Sequence, residues 1–297
     1  MGYLFLLLAV LAGSTKGYCG KRISGFVSDF GDSALSNCLR MLLCILIGAV
    51  AALSEGGIAG LATNPTTLLI ALLAGASTAG NVLLWVLAAK NAPYIMLEVF
   101  LFLGAIVATV CCSVFFHEPI TLFQWVGFAL ILAATATMSA KKSTAKEKLS
   151  LKAFLLLIGS GLTYGMSEFS SKLFVYRGSG LTSAGFNFYT YVFGATVLFV
   201  AALVLNLRRE QPVQRAKTLI KNVRWYLVVM AICLFANSYF KVLAAGSLDA
   251  SVMYPLAQGG SLILSVVMSA FLFREKITKQ SILGVILAFL GSMALNL

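Results

Sequence analysis

Apolar runs, each close to the ~20 residues needed to cross a bilayer, follow one another along nearly the whole of this chain, with few polar residues between them. The pattern predicts helices over 3–20, 34–53, 68–89, 93–116, 122–139, 153–174, 184–206, 225–245, 250–273 and 281–297. The short segments of alternating polarity that mark an outer-membrane barrel are absent. Backbone amides in hydrocarbon must be satisfied within the segment, which leaves helices. The expected fold is therefore an all-α integral membrane protein with ten transmembrane helices. Residues 3–12 read as the start of the first helix rather than a signal peptide, because no Lys or Arg precedes them and Lys16, Lys21 and Arg22 follow.

The pattern also repeats. Gly13-Ser-Thr-Lys-Gly17 is answered by Gly161-Leu-Thr-Tyr-Gly165, and Val50-Ala-Ala-Leu53 by Val200-Ala-Ala-Leu203. Asn81 with Val86-Leu-Ala-Ala89 is answered by Asn237 with Val242-Leu-Ala-Ala245. Phe116-His-Glu118-Pro-Ile-Thr121 and Gly127 return as Phe273-Arg-Glu275-Lys-Ile-Thr278 and Gly284. The offsets, 148, 150, 156 and 157, are each about half of 297. The chain divides into a first five-helix unit over 1–140, a basic connector over 141–152 and a second five-helix unit over 153–297. An odd number of crossings per unit sends the second copy in from the opposite side, so the repeats are expected to be inverted.

Composition agrees, with 60% hydrophobic and 11% charged residues, and a net charge of +12 sharpens the topology. Loops 1–2, 3–4, 5–6, 7–8 and 9–10 hold basic residues, including Lys21, Arg22, Lys90, Lys141, Lys142, Arg208, Arg209, Arg215, Arg274 and Lys279; the opposite loops hold Arg177 alone. Positively charged loops stay cytoplasmic. The connector is accordingly placed inside and both termini outside, in a multi-pass protein of the cell membrane. The basic excess reports topology and contact with anionic lipid, not nucleic acid, which calls for basic residues interleaved with aromatics on a soluble face. The six cysteines lie in or beside apolar spans without ligand spacing, and read as reduced packing residues.

The Glu-x-Ile-Thr-x5-Gly pattern before the last helix of each half, the Leu-Ala-Ala end of each third helix and the tandem five-helix plan resemble the drug/metabolite transporter superfamily, in its EamA-type permeases. The resemblance implies a fold in which helices 1–4 and 6–9 surround a central cavity while 5 and 10 pack outside it. Many relatives of this kind are thought to keep their termini inside, whereas the loop charges here place them outside.

Polar residues near mid-membrane are candidates to line that cavity, since amides and phenols in hydrocarbon turn to the bundle interior. Asn81, Tyr164, Asn237 and Gln258 are the candidate substrate contacts; Ser14, Thr78, Ser167 and Ser261 read as interhelical hydrogen-bonding residues. The glycines of Gly-x-x-x-Gly in helices 1 and 6 read as close-packing or kinking positions. Ionisable residues within spans form two sets. Lys16, Arg40 and Glu98 lie towards the cytoplasmic ends of their helices; Glu168, Lys172, Lys241 and Asp249 lie towards the outer ends. A twofold axis exchanges those ends, so the sets are candidate opposing gates. The plainer alternative is that the lysines and Arg40 snorkel to the interface and that Glu168 and Lys172 form an i,i+4 pair. His117 reads as an interfacial polar residue, and Glu118 and Glu275 as favourable charges at the start of helices 5 and 10.

A secondary transporter for a small organic metabolite fits these features best. A multidrug exporter of the same fold is the alternative, disfavoured because Glu98 and Glu168 each lie near a basic partner. A non-transporting scaffold would not need inverted copies around polar residues. An intramembrane enzyme lacks its constellation, with one His in 297 residues and no metal-ligand spacing. No GxxxxGK[ST] phosphate loop is present, so the drive is a gradient or exchange. The expected partners are a small-molecule substrate and membrane lipids, without cofactor, metal or nucleic acid, and a homodimer is left open.

Overall fold

The computed structural model describes residues 2–116, 120–139, 150–178, 180–206, 212–245, 250–275 and 277–294. His117, Glu118, residues 141–149 of the basic connector and Asp249 lie outside them, as does the side chain of Gln258. The described residues form eleven α-helices and one short 3₁₀ turn, Gly57–Leu61, with no strand. The helices are α1 (Gly2–Ser24), α2 (Phe30–Gly56), α3 (Pro65–Asn91), α4 (Tyr94–Leu101), α5 (Leu103–Phe116), α6 (Leu122–Ser139), α7 (Leu151–Arg177), α8 (Ser183–Asn206), α9 (Pro212–Ala245), α10 (Ala250–Phe271) and α11 (Lys279–Ala294). A helix occupies the described part of each predicted apolar run, to within a few residues at its ends; the fourth is divided at Phe102 into α4 and α5.

Local chemistry sets the helix ends. Asp29 caps α2 by accepting from the amides of Gly31 and Asp32, Asn64 caps α3 from Thr67, and Ser150 caps α7 from Ala153. Pro65 follows its cap directly, where a missing N–H costs nothing. Thr121 and Thr278, the threonines of the repeated motif, cap α6 and α11 through the amides of Gln124 and Ser281. Gln124 returns the bond to the Thr121 amide, closing a capping box. At the far end of α2 the chain turns at Gly57, whose φ of +58° suits a residue without a side chain.

Among the described residues, six helical segments are long and apolar enough to cross a membrane: Gly2–Ser24, Phe30–Leu61, Pro65–Asn91, Tyr94–Phe116, Ser183–Asn206 and Val213–Ala244. Leu122–Met138, Gly259–Phe271 and Lys279–Ala294 are shorter apolar helices. The 27-residue α7 is less apolar because Ser160, Thr163, Tyr164, Ser167, Glu168 and Lys172 interrupt it. Large aliphatic side chains on outward faces stay exposed, among them Leu46 at 65%, Val50 at 70% and Leu69 at 66%. A water-soluble monomer does not leave such a continuous apolar surface uncovered, and the chain is a multi-pass membrane protein.

Packing is dominated by pairs drawn from the two halves: α1 on α9, α3 on α7, α2 on α8 and α6 on α11. Glycines let several of these backbones meet. A Cβ on Gly75 of α3 would come within 2.6 Å of the Thr190 carbonyl on α8, and one on Gly291 of α11 within 3.0 Å of the Gly127 carbonyl on α6. The second contact accounts for one glycine of the repeated motif. All six cysteines are free thiols, four buried and two partly so.

One boundary departs from expectation. Residues 207–224 read as a connector, yet α9 begins at Pro212 and runs for 34 residues. Its first turns are amphipathic, with Leu219, Val223, Leu227 and Met230 buried on one stripe and Lys217, Lys221 and Arg224 on the other side. Hydropathy averaged over a window hides such a stripe. Arg215 ties the extension to the start of α2 through Asp29 at 3.3 Å and Asp32 at 3.1 Å.

Candidate functional site

A cavity lies between the halves, in two connected chambers with about 800 and 1490 Å³ of space free of atoms. Lys16, Asn81, Val82, Tyr164, Asn237 and Lys241 line both. The first chamber adds Ser14, Arg40, Trp85, Glu98 and Ser261; the second adds Thr78, Ser167, Glu168, Lys172, Asn187 and Thr190. Neither α6 nor α11 contributes a lining residue, as the resemblance implied for helices 5 and 10.

Of the candidate substrate contacts, Asn81, Tyr164 and Asn237 meet around this cavity. The two asparagines play matching parts. Asn81 Nδ2 on α3 donates to the Ser160 carbonyl of α7 at 2.9 Å, and Asn237 Nδ2 on α9 donates to the Ala9 carbonyl of α1 at 2.7 Å. Each amide thus fastens its helix to the first helix of the other half while lining the cavity, so the binding and interhelical readings coincide in one side chain. Thr78 and Ser167 hydrogen-bond to each other at 2.9 Å across α3 and α7.

The charged candidates are less separated than their spacing in sequence suggested. Lys241 Nζ donates to Glu168 Oε1 at 2.8 Å and to Tyr164 Oη at 2.9 Å, joining α9 to α7. Tyr164 and Lys241, from the first and third helices of the second half, are therefore one unit with Glu168. Glu98 lines the first chamber, one turn after Tyr94 on α4. Lys16 lies within electrostatic reach of Glu98 and Glu168, of Lys241 and of Arg40. Lys172 lines the second chamber. Lys16 stands eight residues before the end of α1 at Ser24, ~12 Å along the axis, and Arg40 ten residues after the start of α2 at Phe30, ~15 Å. Both are deeper than snorkelling side chains, because α1 and α2 run past the predicted spans at that end.

At the end of the bundle where α1 stops and α2 starts, a second polar constellation forms outside the chambers. Glu275, in the turn between α10 and α11, accepts from the Tyr94 amide at 2.8 and 3.1 Å and from the Ser269 hydroxyl. It lies 3.5 Å from Lys21 Nζ, which also donates to the carbonyls of Ala89 and Ala92 at 2.7 and 2.6 Å. Glu275 was expected to favour its own following helix. Instead it caps α4, whose preceding residue, Pro93, supplies no side-chain cap, while Thr278 serves α11. An uncapped helix behind a proline was the available signal. Glu275→Ala leaves the Tyr94 amide without its acceptor and Lys21 without its carboxylate, and is expected to destabilise the protein by about 1–3 kcal/mol, read as a lowered melting temperature in detergent; Glu275→Gln, which keeps one acceptor oxygen, loses less. Melting of the Ala variant at the parent temperature would remove Glu275 from this role.

Helices of membrane-spanning length around a polar, charged cavity built from both halves define a polytopic membrane protein of the transporter kind. The model of the EamA-like transporter family matches residues 151–297, the second half of the chain, and the protein belongs to that family within the drug/metabolite transporter superfamily. No curated protein matches it. A solved crystal structure superposes over 99% of this chain and 95% of its own with a TM-score of 0.60 and 16% identity, a likeness of fold.

Proposed function

We propose that the protein is a secondary transporter that moves a small organic metabolite across the cell membrane by alternating access, without ATP hydrolysis. The observation that carries this is the cavity lined by both halves, with Asn81 and Asn237 making the same bond across the interface in exchanged roles. The packing pairs obey that exchange. Swapping the first helix of each half and the third of each half turns α1 on α9 into α7 on α3, and both pairs are present. This supports ten crossings in two inverted repeats, the arrangement in which two conformations of one unit open a midplane site to either side. The loop charges put both termini outside and the connector inside.

In this reading Asn81, Tyr164, Asn237 and Gln258 contact substrate. Lys16, Arg40 and Glu98 serve the inner gate, and Glu168, Lys172, Lys241 and Asp249 the outer. The multidrug alternative is disfavoured because Glu168 is held by Lys241 and Glu98 shares its chamber with Lys16 and Arg40, an arrangement unfavourable to a lipophilic cation. Two labelling measurements test the proposal. An impermeant thiol reagent on intact cells should reach a cysteine engineered at residue 2 and not one at 143–146; the reverse pattern overturns the orientation. In oriented proteoliposomes, cysteines at Thr78 and Ser261 should react with reagent from either side, at rates that respond oppositely when one gate is weakened. Cysteines reactive from one side only, with no change in any gate variant, would sink alternating access.

A further inference from the structure

Four buried side-chain nitrogen and oxygen atoms among the described residues have no hydrogen-bond partner in the protein: Ser14 Oγ, Thr190 Oγ1, and Nε and Nη2 of Arg40. All of them belong to residues that line the cavity. Arg40 is the most unusual. It is 2% exposed, it is the single residue that α2 turns into either chamber, and among the described residues no carboxylate pairs with it. A guanidinium held away from water without an acceptor is costly, and a folded chain keeps one there when something it binds supplies the acceptor.

The surrounding charges say what that is. Across both chambers Lys16, Arg40, Lys172 and Lys241 stand against Glu98 and Glu168, four cations to two carboxylates among the described residues. Glu168 is engaged by Lys241, and neither carboxylate forms an ion pair with Arg40. Lys16, one helix away, adds a second cation facing the same space. The guanidinium fork matches two oxygens of one carboxylate or phosphate, and a neighbouring ammonium serves a third contact as a point charge.

We infer that the substrate is a soluble oxyanion, a small metabolite bearing a carboxylate or phosphate that is held between Arg40 and Lys16. The inference rests on the transporter reading and names its substrate class. Ser14, in the same chamber, offers its hydroxyl to the remainder of the ligand.

The test is the melting temperature of purified protein in detergent, titrated at fixed sodium and matched ionic strength with inorganic phosphate, succinate, tetraphenylphosphonium or phosphatidylglycerol. A ligand of the folded state raises it by mass action. Phosphate or succinate should stabilise the parent, and Arg40→Gln should weaken the apparent affinity about ten- to a hundredfold. Arg40→Lys, which keeps the charge and loses the fork, should fall between; together with Lys16→Gln it decides the matter if Arg40→Gln does not fold. The inference is overturned if neither anion stabilises the parent, if an anion stabilises the parent and the Arg40 and Lys16 variants alike, or if tetraphenylphosphonium alone does so. A shift with phosphatidylglycerol alone assigns the site to a lipid headgroup and equally overturns a soluble substrate. Two-sided labelling of cavity cysteines is independent of all these arms, so the anion assignment can fail while alternating access stands.

Discussion

Replacing Lys241 with Met is expected to destabilise the protein more than replacing Lys241 and Glu168 together. Lys241 and Glu168 are 18% and 17% exposed at the side chain and meet at 2.8 Å, with the Tyr164 hydroxyl on the same ammonium. Lys241→Met alone leaves a largely buried Glu168 without its ion-pair partner. Removing one partner of a buried pair costs about 3–5 kcal/mol, whereas an apolar replacement of both is often near neutral. Partial access to the water-filled cavity argues for the lower end of that range here. A thermal or denaturant double-mutant cycle with Lys241→Met and Glu168→Leu should therefore give a coupling of about 1.5 kcal/mol or more. Additive single effects would mean that the ion pair contributes no more than two independent polar side chains. The cycle also bears on transport. The pair bridges α7 of the second half to α9 of the same half beside Tyr164, so a coupling that persists in a variant locked inward-open and vanishes in one locked outward-open would make it a state-dependent outer gate.

That pair illustrates what the chain discloses and what it withholds. Apolar runs and the doubled motifs were legible because span length and helix caps are local: Thr121 and Thr278 read directly as starts of α6 and α11. The repeat-equivalent placement of Asn81 and Asn237 put both at the cavity before any coordinates. Partner choice was not legible. Glu168 and Lys172 sit four apart on one helix and invite an i,i+4 pairing, yet Glu168 takes Lys241, 73 residues away, because Lys241 projects into the same cavity from α9. Glu275 likewise serves a helix 181 residues distant. Arg40 looked like an interfacial residue because the apolar run started its helix four residues late, at 34 instead of Phe30. The amphipathic start of α9 was missed for the same reason, since a buried stripe carrying basic residues on its other face averages to polar.

The second large effect is expected from the smallest side chain. Gly161 and Gly165, the pair that repeats Gly13 and Gly17, face α4 and α5: a Cβ on Gly165 would stand 2.5 Å from the Gly104 carbonyl oxygen and 2.6 Å from Val107 Cβ. These are backbone and branch-point atoms, so the strain cannot be relieved by rotating a side chain. Helices in a membrane gain no hydrophobic advantage from meeting, and close backbone approach through small residues is what holds them. Gly165→Ala is expected to cost about 1–3 kcal/mol from overpacking, and Gly165→Leu to abolish the folded protein. Gly25→Ala, where the nearest atom would be 3.5 Å away in ordinary contact, is the control and should stay within about 0.5 kcal/mol of the parent. The helix displaced by Gly165→Ala carries Tyr164 next to the glycine and Glu168 one turn further on. Pushing α7 off α5 therefore moves the carboxylate that Lys241 holds, and labelling of a cysteine at Ser167 should change in rate along with the loss of stability. If Gly165→Ala melts with the parent and leaves that rate unchanged, α7 does not lie against α5 as closely as these backbones indicate, and the cavity wall it forms would have to be redrawn.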